Sequence, residues 1–137
     1  MSYKIIGTTA DFKVKGWGST REELLSSLGL GMAVGSCGIE VSPEKARQEG
    51  REFSIAVEGF DNESLVVNFL SELIYLYNVE KVFVWSFDLK VEGFNVAGKV
   101  YGLPVEQVSA ELKAATYANL KVEHKNGQWE ATVVFDI

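Results

Sequence analysis

The C-terminal stretch of the chain alternates hydrophobic and polar side chains and then becomes almost wholly apolar. This stretch, residues 128–137, has the sequence QWEATVVFDI, and such a pattern predicts a β-strand that enters a buried sheet. Two negative groups stand at its end, the side chain of Asp136 and the main-chain carboxylate of Ile137. Like charges this close repel each other. A divalent cation that prefers oxygen ligands would remove the conflict.

A third acid has a similar setting near the N-terminus. Asp11 lies between a short apolar run, residues 3–6, and an alternating run, residues 12–17. If these runs meet the final strand, three carboxylates converge. In the alternative interpretation Asp136 is an ordinary strand-end acid and Asp11 is a turn former. Spacing alone favours this second interpretation.

Two segments have the periodicity of amphipathic helices. The first begins near residue 20, at a capping box formed by Ser19 with Glu22 or by Thr20 with Glu23, and continues into the thirties. Its predicted buried stripe consists of Leu24, Leu25, Leu28 and Met32. The second runs from Glu63 to about Tyr77, with apolar residues at three- and four-residue spacings and Asp61 as its cap.

The glycines of the first helix, Gly29, Gly31 and Gly35, are one residue off the spacing of a dinucleotide-binding loop. Such a loop follows a strand and opens a helix, whereas these glycines fall late in a helical pattern. They therefore indicate close packing or a weakened helix end, with Gly38 as the stop.

The remaining alternating segments predict strands. They are residues 51–58, 81–92, 96–102, 113–123 and 128–135, the last two joined by the hairpin signal Asn126-Gly127. The polar residues 42–50 predict a short helical turn or connector. About seven strands without regular βαβ alternation predict an α+β fold, in which two main helices pack on a largely antiparallel β-sheet. We expect a single domain over residues 1–137.

Composition narrows the class of function. The chain has 137 residues, of which 47% are hydrophobic and 23% charged, as in soluble globular proteins. A net charge of −6 argues against direct nucleic acid binding, which needs clustered Lys and Arg. With one His and one Cys, a metal has to be held by oxygen ligands. We expect a cytoplasmic protein without a membrane partner, because no signal peptide or membrane span is recognisable.

Other candidate chemistry is sparse. We find no phosphate-binding loop, no nucleophile elbow and no His near both an acid and a nucleophile. Cys37 is expected to be a small apolar filler and His124 a solvated strand end. Glu72 either flanks the second helix or faces the carboxylates, and Lys113 by its spacing alone is an exposed lysine.

The order of these segments resembles the archease family, small proteins that activate the RNA-splicing ligase joining tRNA halves. The resemblance extends over nearly the whole chain. Its motifs are TTAD at 8–11, TREELL at 20–25, LVVNFLSELIYL at 65–76, KAATYA at 113–118 and VVFDI at 133–137.

The resemblance implies a site and a partner. In archeases the acid of the first motif, the penultimate Asp and the terminal carboxylate bind a divalent cation; here these are Asp11, Asp136 and Ile137. Lys113 matches a family lysine implicated in activity through the ligase or its nucleotide. The implied function is non-enzymatic: transient docking on the ligase, which promotes guanylate transfer from GTP to the ligase histidine and supports turnover. The implied cofactor is calcium, magnesium or manganese.

Two departures from the family pattern leave alternatives open. Thr8 and Ala118 replace family histidines beside the implied site, which would alter hydrogen bonding to the ligands or the partner. The glycine-rich residues 29–38 also depart from the more charged family helix. One alternative is a divergent, metal-free chaperone-like or structural α+β protein. A metal-dependent hydrolase that uses the same acids ranks lowest.

Overall fold

The computed structural model describes residues 2–7, 11–106 and 108–137, with the side chain of Asp11 outside the description. The elements, in chain order, are β1 Ser2–Gly7, β2 Asp11–Gly18, α1 Arg21–Cys37, α2 Pro43–Glu49, β3 Arg51–Glu58, α3 Asn62–Glu80, β4 Val82–Glu92, β5 Asn95–Pro104, β6 Ala114–Ala115, β7 Glu123–Lys125 and β8 Gln128–Asp136. The predicted α+β class is confirmed.

Both long helices begin at the predicted caps. The Thr20 hydroxyl accepts a hydrogen bond from the Glu23 amide at 3.1 Å, and the Glu23 carboxylate accepts one from the Ser19 amide at 2.8 Å. Asp61 caps α3 by accepting from the Ser64 amide at 2.7 Å. Helix α1 stops at the predicted Gly38, which caps it in the left-handed region, whereas α3 continues three residues beyond its predicted end at Tyr77.

The strands form two sheets rather than one. A five-stranded sheet has the order β1-β2-β8-β6, with β7 also paired to β8, and a three-stranded sheet has the order β3-β5-β4. All of these pairs are antiparallel. Helix α1 lies between the sheets, because it packs on β1 and β2 on one side and on β4 on the other.

This central position explains the glycines of α1. A methyl group on Gly31 would overlap Val14 of β2, and one on Gly29 would lie 2.7 Å from the Phe87 ring of β4. The expected close packing is therefore confirmed. The predicted stripe of four residues was too narrow, since twelve residues of α1 are buried.

The predicted strand over residues 113–123 is wrong. Only Ala114 and Ala115 pair with β8 as β6. Thr116 still bonds to β8, since its amide donates to the Val134 carbonyl at 3.0 Å. The chain then turns over residues 117–120, where the Leu120 amide donates to the Tyr117 carbonyl at 3.0 Å and the Thr116 hydroxyl accepts from the Ala118 amide at 3.3 Å. Such local side-chain bonds compete with a ladder of strand hydrogen bonds.

A second, smaller core lies between α1, α2 and β4. Its buried residues are Leu30, Ala33, Cys37, Ala46, Phe83 and Trp85. Cys37 is buried in this apolar cluster, which confirms its expected role as an apolar filler. Burial also raises the pKa of its thiol. In the part of the chain that the structure describes, no helix combines the length and apolarity needed to cross a membrane.

Candidate functional site

The ladder between β2 and β8 brings two of the predicted acids opposite each other. Asp11 is the Cα partner of Asp136 at the end of this ladder. Asp136 is also the partner of Ala114 in β6, on its other side. The final residue of β8 is thus flanked by strands on both sides, although it is itself exposed.

Buried aromatic packing holds this end of the ladder. The rings of Phe12 and Phe135 stack with centroids 5.2 Å apart, and both side chains are buried. They are Cα partners one residue inside the Asp11–Asp136 pair. Packing on the inner face of the sheet therefore sets the backbone register at the two acids.

A cleft of about 540 Å³ opens beside this strand end. Ile137 and Lys113 both line it, and the other lining residues are Asn78, Ser109, Ala110, Glu111 and Leu112. The Lys113 amide donates to the Asp136 carbonyl at 2.9 Å. The lysine and the end of β8 are therefore fixed to each other through the backbone.

Ser36 of α1 forms hydrogen bonds to Ser109 and Ala110, two of the residues that line the cleft. The Ser36 carbonyl accepts hydrogen bonds from the amides of Ser109 at 2.7 Å and Ala110 at 3.0 Å. The hydroxyl of Ser36 in turn donates to the Ala110 carbonyl. The segment that leads into Lys113 is thus docked on the central helix, while Asn78 from the last turn of α3 contributes to the same cleft.

The other candidate residues from the sequence do not line the cleft. Glu72 is half-buried in α3 and does not line the cleft. His124 stacks on Trp129 with ring centroids 4.1 Å apart, at the opposite end of β8 from Asp136. Ala118 is exposed, two residues beyond the bond from Thr116 to β8. Thr8 lies outside the described residues.

The atoms that could bind a metal at the end of β8 are oxygens. Among the side chains that the structure describes, no three His, Cys, Asp or Glu groups converge as metal ligands. Of the three predicted ligands, Asp136 has a side-chain carboxylate that the structure describes. Ile137 would bind through its main-chain carboxylate, and the side chain of Asp11 lies outside the description. Carboxylate and carbonyl oxygens suit hard cations such as Ca²⁺, Mg²⁺ and Mn²⁺.

Sequence reasoning missed Ser36 and Asn78. The signal for Ser36 was a serine among the small and apolar residues of a predicted helix, because a hydroxyl buried there needs a hydrogen-bond partner. Asn78 had no comparable signal, since its place at the cleft depends on how α3 packs.

Comparison with known proteins decides the family. The model of the Archease protein family (MTH1598/TM1083) matches residues 3–137. The chain belongs to the archease family. It is 33% identical over 138 residues to Protein archease of Pyrococcus furiosus, a match that covers 94% of each chain.

Solved structures share the archease fold. The solution structure of protein 1598 of Methanobacterium thermoautotrophicum matches with a TM-score of 0.74 and 22% identity, covering 98% of each chain. The crystal structure of a Thermotoga maritima archease, described as a possible chaperone, matches with a TM-score of 0.63 and 24% identity. That match covers 100% of this chain and 98% of the other.

Proposed function

We propose that this archease is a non-enzymatic activator of the tRNA-splicing RNA ligase. It docks transiently on the ligase in the cytoplasm, promotes GTP-dependent guanylylation of the ligase histidine and supports multiple turnover. The observation that carries this proposal is the register that sets Asp11 opposite Asp136 at the end of β8, beside the cleft of Lys113 and Ile137. The residues of the implied family site thus come from three separate parts of the chain.

A divalent cation is the proposed cofactor. Directly opposed residues of antiparallel strands have Cβ atoms about 4.5–5.5 Å apart, and like charges in such a pair are destabilising. A cation held by Asp11, Asp136 and the Ile137 carboxylate would relieve this repulsion and supply a Lewis acid for a partner's phosphate groups. The residues of this chain only hold and present the ion; the transfer chemistry belongs to the ligase.

Lys113 is the proposed contact to the partner. It is exposed, and its backbone is tied to Asp136. Its ammonium group is therefore available to a phosphate or an acidic side chain of the ligase. The acidic balance of the whole chain would favour approach to a basic, RNA-binding cleft.

A metal-free chaperone-like role is the second candidate. It is favoured by Thr8 and Ala118 in place of the family histidines, because such neighbours orient and tune metal ligands. The description of the Thermotoga protein as a possible chaperone points the same way.

Cation titration and ligase stimulation together separate the two roles. Ca²⁺, Mg²⁺ and Mn²⁺ are titrated calorimetrically into the wild type and Asp11→Asn, with Asp88→Asn as control because Asp88 is exposed on β4 in the other sheet. We expect binding in the wild type and the control and its loss in Asp11→Asn. No binding by the wild type would favour the metal-free role.

The same proteins are then added to a purified ligase with GTP. Asp136→Ala, Lys113→Ala and an extension beyond Ile137 are each expected to abolish stimulation, while circular dichroism shows an intact fold. Lys90→Ala is the matched lysine control, since Lys90 lies on the three-stranded sheet. Undiminished stimulation by both Asp136→Ala and the extended chain would contradict the proposed site.

A further inference from the structure

The outer face of the five-stranded sheet is open. Successive side chains of a strand point to opposite faces. In β2 the buried Phe12 and Val14 point to α1 on the inner face. Lys13, Lys15 and Trp17 alternate with them and therefore point outward. Among the described elements, α1 is the one helix that packs on β1 and β2, so the outer face stays accessible to a partner.

The middle of this outer face carries three lysines. Lys4 of β1 and Lys15 of β2 are Cα partners, and Lys13 lies two residues away along β2. Together these three residues form the lysine band. Directly opposed like charges destabilise an antiparallel pair, and a bound anion would relieve their repulsion. Protection of a sheet edge explains a lysine on an edge strand such as β1, but not the two lysines of β2, which lies between β1 and β8.

Ion pairs distinguish the lysine band from other strand lysines. Lys90 and Lys99 of the three-stranded sheet and Lys125 of β7 each form a salt bridge of 3.3 Å or less. Among the described side chains, no carboxylate lies within 4.0 Å of an ammonium group of the lysine band. The net charge of −6 is a sum over the whole chain, and it does not describe this local concentration of positive charge.

A hydroxyl and an indole extend the lysine band. Thr132 of β8 is the Cα partner of Lys15, and Trp17 lies two residues beyond Lys15 along β2. Both side chains are half-buried and so partly accessible. In the described part of the sheet, acids on this face stand at its ends, with the proposed metal site at one end and Glu130 with its partner Glu123 at the other. Ammonium and hydroxyl groups bind phosphates, and an accessible aromatic ring stacks on bases.

We propose that the outer face of the five-stranded sheet binds a segment of single-stranded nucleic acid. Its phosphates contact the lysine band, and one of its bases stacks on Trp17. An acidic protein segment would match the positive charge, but it has no base that would stack on the indole. The binding needs neither the proposed cation nor the ligase, so it stands or falls independently of the proposed function.

Fluorescence anisotropy tests the proposal with a labelled oligouridylate of about 15 nucleotides, in the presence of a chelator and without ligase. With one phosphate per lysine, the logarithm of the binding constant should fall with the logarithm of the salt concentration, with a slope of about −2. Lys4→Gln combined with Lys15→Gln should weaken binding about tenfold or more at low salt and reduce the slope to about −0.7. Lys90→Gln combined with Lys99→Gln is the matched control, since it removes the same two charges from the other sheet and should retain binding.

Tryptophan variants test the stacking. Trp17→Leu should weaken binding about fivefold or more, the effect of one stacked base. Trp129→Leu is its control, because the Trp129 ring stacks on His124 instead. Circular dichroism checks each fold, and if a tryptophan variant unfolds, the lysine pairs still decide. Unchanged binding by folded Trp17→Leu, equal losses in the two lysine pairs, or no binding at low salt would each overturn the proposal. Tighter binding of poly-glutamate than of the oligonucleotide would also overturn it and assign the face to an acidic protein.

Discussion

At the scale of the residue, the absence of a side chain at Gly31 is what lets α1 lie against β2. The nearest atom to a methyl group at this position would be Cγ1 of Val14, which is fully buried. At Gly35 of the same helix, the nearest atom would be at the edge of the Phe12 ring, 3.0 Å away. Both glycines lie inside the same helix, but there is less room for a methyl group at Gly31 than at Gly35.

We expect Gly31→Ala to lower the free energy of unfolding by about 1–3 kcal/mol, because overpacking a close contact outweighs the better helix propensity of alanine. Gly35→Ala should be less harmful, since the Phe12 ring needs to move only by a few tenths of an ångström. Urea denaturation of both variants measures the difference. An increase in stability for Gly31→Ala would contradict the close packing of α1 on β2.

At the scale of the element, β8 is the strand on which the candidate site depends. It pairs with β2 over residues 129–136, with β7 at its start and with β6 at its end. The two-residue strand β6 offers little pairing of its own. Its position depends on the segment before it, which hydrogen bonds with Ser36 dock on α1.

Ser36→Ala should therefore cost about 0.5–1.5 kcal/mol of stability, because the half-buried Ala110 carbonyl loses the donor that the fully buried Ser36 hydroxyl supplies. It should also speed hydrogen exchange at the Lys113 amide, which lies at the edge of the cleft. Ser26→Ala is the matched control, since the Ser26 hydroxyl donates to the Glu22 carbonyl of its own helix. Equal effects of the two substitutions would show that the Ser36 contact does not hold the segment.

At the scale of the whole molecule, the proposed cation would join the N-terminal and C-terminal parts of the chain. Asp11 and Asp136 are 125 positions apart in sequence and become neighbours only when β2 and β8 pair. An ion held by both would bind the folded state much more tightly than the unfolded state, so binding and folding are coupled.

A cation at 100 times its dissociation constant should then raise the free energy of unfolding by about 2.7 kcal/mol. Scanning calorimetry with and without a chelator measures this as a shift of several degrees in the unfolding midpoint. Asp136→Asn should lose the shift, and Asp88→Asn should keep it. A shift of equal size in all three proteins would show that the cation binds elsewhere.

The sequence by itself determined the elements whose signals are local. Period-3.6 spacing and side-chain caps located α1 and α3, and the hairpin between β7 and β8 followed from Asn126-Gly127, both at positive φ. The same local signals failed over residues 113–123, where alternation predicted one long strand. There the chain turns at residues 117–120, with Asn119 at positive φ and the Ala118 amide bonded to the Thr116 hydroxyl, so pairing with β8 stops.

Only the tertiary structure decided which distant residues meet. The sequence suggested that Asp11 and Asp136 converge if their strands meet, and the ladder between β2 and β8 shows that their backbones do. The cleft formed with Asn78 and Ser109 had no sequence signal. It arises from the packing of helices and sheets, and such contacts depend on side-chain shape and backbone register across the whole fold rather than on any local pattern.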